Sequence, residues 1–209
     1  MLRSLRAPLL PVLILCLGSV GYGQTILLAT PTNAQENPPA NPTLQNGQPR
    51  PASFGQVVFV LNQAQTAMTM EATVFNIDFT GSQTPDPNDN LTNAHIHASA
   101  TVTPTTNAGV VWGFIGTPFN DTNPTDTVVT PFVGGVGGVV RSKWDAPEGQ
   151  NTTLTAQLNN ILTEHAYINF HTVQFGGGEI RGVIQVVPEP STALLLGLGV
   201  LGLASRRRR

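Results

Sequence analysis

The chain has 209 residues, enough for one domain plus processing segments. Only 11% of them are charged, against about 25% in ordinary soluble proteins, and Thr, Asn, Gly and Pro fill the difference, which suits an extracellular β-protein with many turns better than a cytosolic enzyme. The formal net charge is −2, but between the terminal arginines only Arg50, Arg141, Lys143 and Arg181 face every acidic residue except Glu189, a balance of about −7; nucleic acid is excluded as a partner because phosphate contacts need clustered Lys and Arg.

Residues 1–23 read as a secretory signal. Arg3 and Arg6 form its positive start, 9–20 is an apolar stretch too short for an easy span, and Gly21-Tyr22-Gly23 offers small residues before a cut, with Gln24 as the mature start. The single cysteine, Cys16, lies inside it, preceded by Leu15 where a lipid-anchored chain needs a small residue. The mature chain therefore has no cysteine, and packing without disulfides must hold it together.

Residues 24–52 are a Pro/Asn-rich lead-in, either a linker or an extended strand. The domain proper is expected over 53–187. Its first strand is 54–61, with Val57, Val58, Phe59 and Val60 as a buried run. Residues 66–79 alternate, with Met68, Met70, Ala72 and Val74 on one side, and should pair with it antiparallel. Residues 80–90 are a loop. A calcium loop beginning at Asp86 would need Gly at Leu91 and Glu at His97, so the stretch reads as a solvated Asx-rich turn.

Residues 93–98 form a short strand carrying His95 and His97, and 109–115 form another. Residues 117–126 are loop. Strands follow at 127–132 and 137–145 around Gly134-Gly135, a turn or bulge that lacks the Lys-Ser/Thr ending of a phosphate loop. At 152–162 the pattern changes: Leu154, Leu158, Ile161 and Leu162 recur at helical spacing, with Asn151 or Thr152 as the cap. Residues 167–184, YINFHTVQFGGGEIRGVI, then read as a β-hairpin around Gly176-Gly177-Gly178. Asn169 and His171 share one face of its first arm, and Glu179 and Arg181 share a face of its second.

No Gly-x-Ser-x-Gly elbow, no His-Glu-x-x-His and no dinucleotide or phosphate loop occurs, so enzyme readings have little to stand on. The histidines are the one constellation. His95 and His97 project from one strand face about 7 Å apart, and His171 lies on the closing hairpin. Converging, the three would make a copper or zinc site with an open position, with Asn169, Glu179 and Arg181 around it. The same residues also fit a hydrogen-bonded polar layer, in which Glu179 and Arg181 pair with each other. His165 is peripheral. Trp112, Trp144 and Tyr167 fit core packing or a sugar-stacking surface.

The hairpin's Tyr167-Ile168-Asn169-x-His171-Thr172 and Gly-Gly-Glu-Ile-Arg-Gly runs, the upstream His95-Ile96-His97 and the polar helix resemble the CHRD (chordin-type) domain, over roughly 54–187. A second likeness is to copper-zinc superoxide dismutases, which also carry a His-x-His strand and a closing strand similar to Arg181-Gly182-Val183-Ile184. The sequence departs from them in having no disulfide, no clear zinc loop and no fourth matching histidine. Together the likenesses imply an all-β, Greek-key or immunoglobulin-like β-sandwich of superoxide-dismutase-like architecture with one short helix.

Residues 188–209 resemble the PEP-CTERM sorting signal: Pro188-Glu189-Pro190, an apolar stretch at 193–204 and four terminal arginines. The stretch spans a bilayer only marginally and the arginines prefer the cytoplasmic side. That resemblance implies an exported chain, anchored transiently in the inner membrane, cut near Pro188-Glu189-Pro190 by a membrane sorting protease, and left at the cell surface or released outside the cell. The expected role is structural or interactive in the envelope or a biofilm-type polymer matrix, with extracellular polysaccharide or an envelope protein as partner. The alternative is a histidine-ligated copper or zinc protein.

Overall fold

The computed structural model describes residues 23–188, so the expected signal (1–23) and sorting tail (188–209), apart from Gly23 and Pro188, lie outside the described residues. Ten strands and one α-helix run in the order β1 (Thr25–Ala29), β2 (Phe54–Leu61), β3 (Ala67–Phe75), β4 (Leu91–Ala98), β5 (Val110–Ile115), β6 (Val128–Pro131), β7 (Gly137–Asp145), α1 (Leu154–Leu162), β8 (Ala166–Thr172), β9 (Ile180–Val183) and β10 (Gln185–Val186). They build an all-β sandwich of two antiparallel sheets, ordered β10-β1-β2-β3-β7-β6 and β5-β4-β8-β9.

The first sheet follows the pleat. Val57, Phe59 and Leu61 of β2, Met68, Met70, Ala72 and Val74 of β3, and Val140 and Trp144 of β7 all face inward and are buried. Val58 does not belong to a buried run as expected: it is 44% exposed, because alternation turns it to solvent between Val57 and Phe59. Across the interior, Trp112 of β5 stacks on Trp144 of β7 with ring centroids 5.4 Å apart, and both are fully buried. The indoles therefore tie the two sheets together, and they offer no surface for sugar stacking. Tyr167 is buried as well.

The residues read as a lead-in contribute to the sheet. Ile26, Leu27 and Leu28 of β1 pair with Val60, Phe59 and Val58 of β2, and Leu27 pairs with Val186 of β10. The second arm of the hairpin is divided. β9 pairs with β8 in the second sheet, the chain crosses at the buried Ile184, and β10 joins the first sheet. Helix α1 packs against β4 and β10, one strand from each sheet, with Leu154 and Ile161 buried. Its cap is Thr153, whose hydroxyl accepts from the Ala156 N–H, one residue later than expected.

The second sheet positions the candidate site. Its inner face carries Ala94, Ile96, Ile168 and Phe170 into the core. Its outer face carries His95, His97, Tyr167, Asn169, His171 and Arg181, and these too are buried. Loops fold over that face, so a polar layer is enclosed where an ordinary antiparallel sheet would meet water.

Candidate metal centre

The strand register brings the three histidines together. β4 pairs with β8 so that His97 stands opposite Tyr167, His95 opposite Asn169 and Asn93 opposite His171. His95 and His171 are thus diagonal neighbours on one face, within reach of each other's rings. Nδ1 of His95 lies 3.3 Å from Nε2 of His171. The ring centroids of His97 stand 5.8 Å from His95 and 5.9 Å from His171. One nitrogen from each ring can be taken so that all three lie within 4.8 Å of one another.

Backbone carbonyls fix two of the tautomers. His97 Nδ1 is 2.9 Å from the Ala108 carbonyl, and His171 Nδ1 is 3.1 Å from the Gly176 carbonyl. A carbonyl only accepts, so each Nδ1 carries the proton and each Nε2 keeps its lone pair. Nε2 of His97 has no hydrogen-bond partner, and neither does Nε2 of His95. His97 and His171 thus have the arrangement found in ligating histidines, one nitrogen held by a carbonyl and the other with its lone pair available, whereas Nδ1 of His95 faces His171.

All three rings are neutral at neutral pH. Burial pushes His95 down to about 3, helped by the neighbouring His171 and His97, while the Thr117 backbone pulls weakly the other way. Burial pushes His97 down to about 4; the Ala108 carbonyl opposes this, and His171 and Arg181 add to it. His171 is lowered by burial against the opposing bond to Gly176. Metal ions bind the unprotonated nitrogen of a neutral imidazole, so an ion would release no net proton here; the proton on His95 Nδ1 would have to pass to its Nε2.

Nitrogens bound about 2.05 Å from a tetrahedral ion stand about 3.3–3.4 Å apart. The His95–His171 pair already has that spacing. To complete such a set the His97 nitrogen would have to move in by about 1.4 Å, since the three ligand atoms lie as much as 4.8 Å apart.

The surrounding residues divide into two groups. Arg181 is fully buried with its guanidinium 3.7 Å from the centre of the Tyr167 ring, and His97 stacks on that ring at 4.8 Å and an interplanar angle of 2°. Strand β8 lies between β4 and β9, so Tyr167 is held between the imidazole and the guanidinium. Arg181 donates to Asn107 Oδ1 and to the Thr103 carbonyl, and no ion pair to it is found among the described residues. Asn169 is buried beside this group with Oδ1 unpartnered.

Glu179 belongs elsewhere. Its carboxylate accepts from Arg50, Ser53 and Thr172, with no bond to a histidine and none to Arg181. The expected Glu179–Arg181 pairing is therefore absent, because the two side chains turn to separate partners. His165 bonds to the Thr163 hydroxyl at the end of α1, away from the triad. Pro188 is exposed just past β10, and Glu189 and Pro190 lie outside the described residues.

Sequence reasoning missed the carbonyls of Ala108 and Gly176, and the Tyr167 stack. The tyrosine had a signal, since Tyr167, Asn169 and His171 share one strand face. The carbonyls had none, because any residue supplies one.

A family model described as the CHRD domain matches residues 27–184, which include every histidine of the triad together with Asn169, Glu179 and Arg181. A second, described as a PEP-CTERM protein-sorting motif, matches 186–209, which include Pro188, Glu189 and Pro190. The searches of curated proteins and of solved structures found no match. Among the described residues no helix is long and apolar enough to cross a membrane.

Proposed function

We propose, for a chain that belongs to the CHRD domain family and ends in a PEP-CTERM sorting motif, that the exported domain binds one transition-metal ion through His95, His97 and His171. The observation that carries this reading is the set of three buried, neutral imidazoles with nitrogens within 4.8 Å of one another, among which Nε2 of His97 has no partner. A purely structural polar layer is a poorer account, since unpartnered buried polar atoms cost about 1–3 kcal/mol each and a structural layer exists to avoid that cost.

Copper and zinc are the ions that three imidazoles suit, and at equal availability copper(II) binds the tighter. The ion would keep a position open to water or a small ligand. Tyr167 and Arg181 would hold the His97 ring in place, and Asn169 would meet the group in the open position. The chain is an exported, surface-sorted protein by its family and its sorting motif. Its place of action would be the cell envelope or the polymer matrix outside it. The low charge and the Thr- and Asn-rich loops support contacts there with polysaccharide or an envelope protein.

The test is the copper and zinc content of protein recovered from cells, followed by titration of the chelated protein beside His97→Ala and His171→Ala. The expected result is one ion per chain, with the variants weaker by at least about 100-fold. Wild-type protein that binds no better than either variant leaves the triad as a polar layer and removes the metal reading.

A further inference from the structure

The corner where β1 meets β10 carries an apolar surface that the sandwich does not use. β1 and β10 are antiparallel, and the Val187 N–H donates to the Ile26 carbonyl, so the chain leaves the domain at Pro188 next to Thr25, at the start of β1. On the solvent face beside this exit stand Ile26 and Leu28, 47% and 44% exposed, directly across from Val60 and Val58 of β2. Val58 is itself 44% exposed, and Phe54 at the end of β2 is equally so and stacks on Phe75. Gln185 flanks the group on β10 without charge. Charge begins at β3 with Glu71, which is already paired with Arg141 at 2.7 Å. Apolar side chains gathered on one face in this way mark a contact surface.

The chain beyond Pro188 indicates what that surface meets. Residues 186–209 match a membrane-sorting motif, and only Glu189, Pro190, Ser191 and Thr192 separate Pro188 from the apolar stretch that begins at Ala193. Those residues reach no more than about 18 Å even when fully extended. Before the tail is cut, the β10–β1–β2 corner cannot move farther than that from the start of the apolar segment. We infer that in the uncut chain the outer face of β1 and β2, with Ile26, Leu28 and Val58 at its centre, lies against the lipid surface. The face then holds the domain in one orientation, with the cleavage motif at the bilayer and the histidine-bearing sheet on the far side of the sandwich. Apolar side chains without clustered lysine or arginine engage the acyl boundary, and do not require anionic headgroups. The inference rests on the sorting motif and the fold, and is independent of any bound metal.

The experiment uses residues 24–209, which contain no cysteine and keep the C-terminal tail uncut, reconstituted in phosphatidylcholine vesicles and carrying a bimane label at Leu28→Cys, Val58→Cys or Val133→Cys. Val133 is a fully exposed control in the β6–β7 turn. The expected result is a blue-shifted emission at 28 and 58 that spin-labelled lipid quenches, with water-like, unquenched emission at 133. Water-like emission at 28 and 58 overturns the inference. A blue shift that spin-labelled lipid does not quench, and that fades as the chain is diluted in lipid, also overturns it, because a second copy of the chain then covers the face.

Discussion

Nδ1 of His95 and Nε2 of His171 face each other 3.3 Å apart in a layer closed to solvent, on adjacent strands of one sheet. Without an ion, one proton shared between the rings is all that joins them, and Nε2 of His97 is left with nothing. With an ion, all three lone pairs are used. Metal should therefore stabilise the fold. At a free concentration 100 times Kd the gain is about 2.7 kcal/mol, or about 5–10 °C in Tm for a domain of this size. Differential scanning calorimetry with and without chelator checks it. His165→Ala should keep the full gain, and His171→Ala should lose it.

The metal-free protein should weaken in mild acid. The folded-state values of His95 and His97, about 3 and about 4, lie below the ordinary 6.5, and His171 is lowered too. Between these values the unfolded chain binds protons that the native rings refuse, so stability falls as pH falls. The loss starts near pH 6.5 and continues down to about pH 3, the His97 share ending near pH 4, and amounts to a few kcal/mol in all. Urea midpoints of chelated protein at pH 7.5 and 4.5 measure it. A His95→Gln variant should show a shallower slope, and equal slopes would mean that the rings are not buried neutral.

Much of this arrangement was legible in the residues. The period-two alternation of β2, β3 and β8 placed the core and the polar face, and the His-x-His spacing placed two imidazoles on that face. The alternation also put His171 on the closing hairpin, but whether it meets the other two was open, because register between β4 and β8 depends on packing across 76 residues of chain. β1 was left open between linker and strand, because TILLA gains its pairing only from β2 and β10. The buried partner of Glu179 was out of reach for a similar reason: Arg50 is 129 residues away, in a stretch whose composition suggests a linker.

The loop over His95 should be intolerant of added volume. A Cβ at Gly113 would run into the Pro118 carbonyl and come within 3.0 Å of His95 Cδ2. Gly113→Ala must push the 116–120 loop or the imidazole aside. The expected outcome is a loss of about 1–3 kcal/mol together with weakened metal binding, read by urea unfolding and by copper titration. Gly109→Ala, where nothing lies within 4 Å, should change neither.

Processing should remove both ends. Protein recovered outside the cell should have an intact mass without residues 206–209 and without the first 23. Protein left in the membrane fraction should still carry the four arginines. An external form that retains 206–209 would sink the sorting account.

Glu179 and Arg50 form a buried ion pair whose loss should separate stability from metal binding. Glu179 is fully buried and the Arg50 side chain is 3% exposed. The carboxylate also takes the Ser53 and Thr172 hydroxyls, while Arg50 reaches the Asn76 carbonyl. Asn33 donates to the Glu179 backbone carbonyl, so the network joins the N-terminal stretch to the closing hairpin. Removing one partner of such a pair leaves a buried charge unanswered and costs about 3–5 kcal/mol. Glu179→Gln should thus lower Tm by roughly 10 °C. The double variant Arg50→Met with Glu179→Gln should regain part of the loss, since no charge then remains buried. None of this network bonds to a histidine, so both variants, measured well below their Tm, should bind copper within about threefold of wild type. A drop of about 10–100-fold, the size of effect that groups orienting a metal ligand produce, would instead give Glu179 a role in holding the triad, acting through Thr172 beside His171.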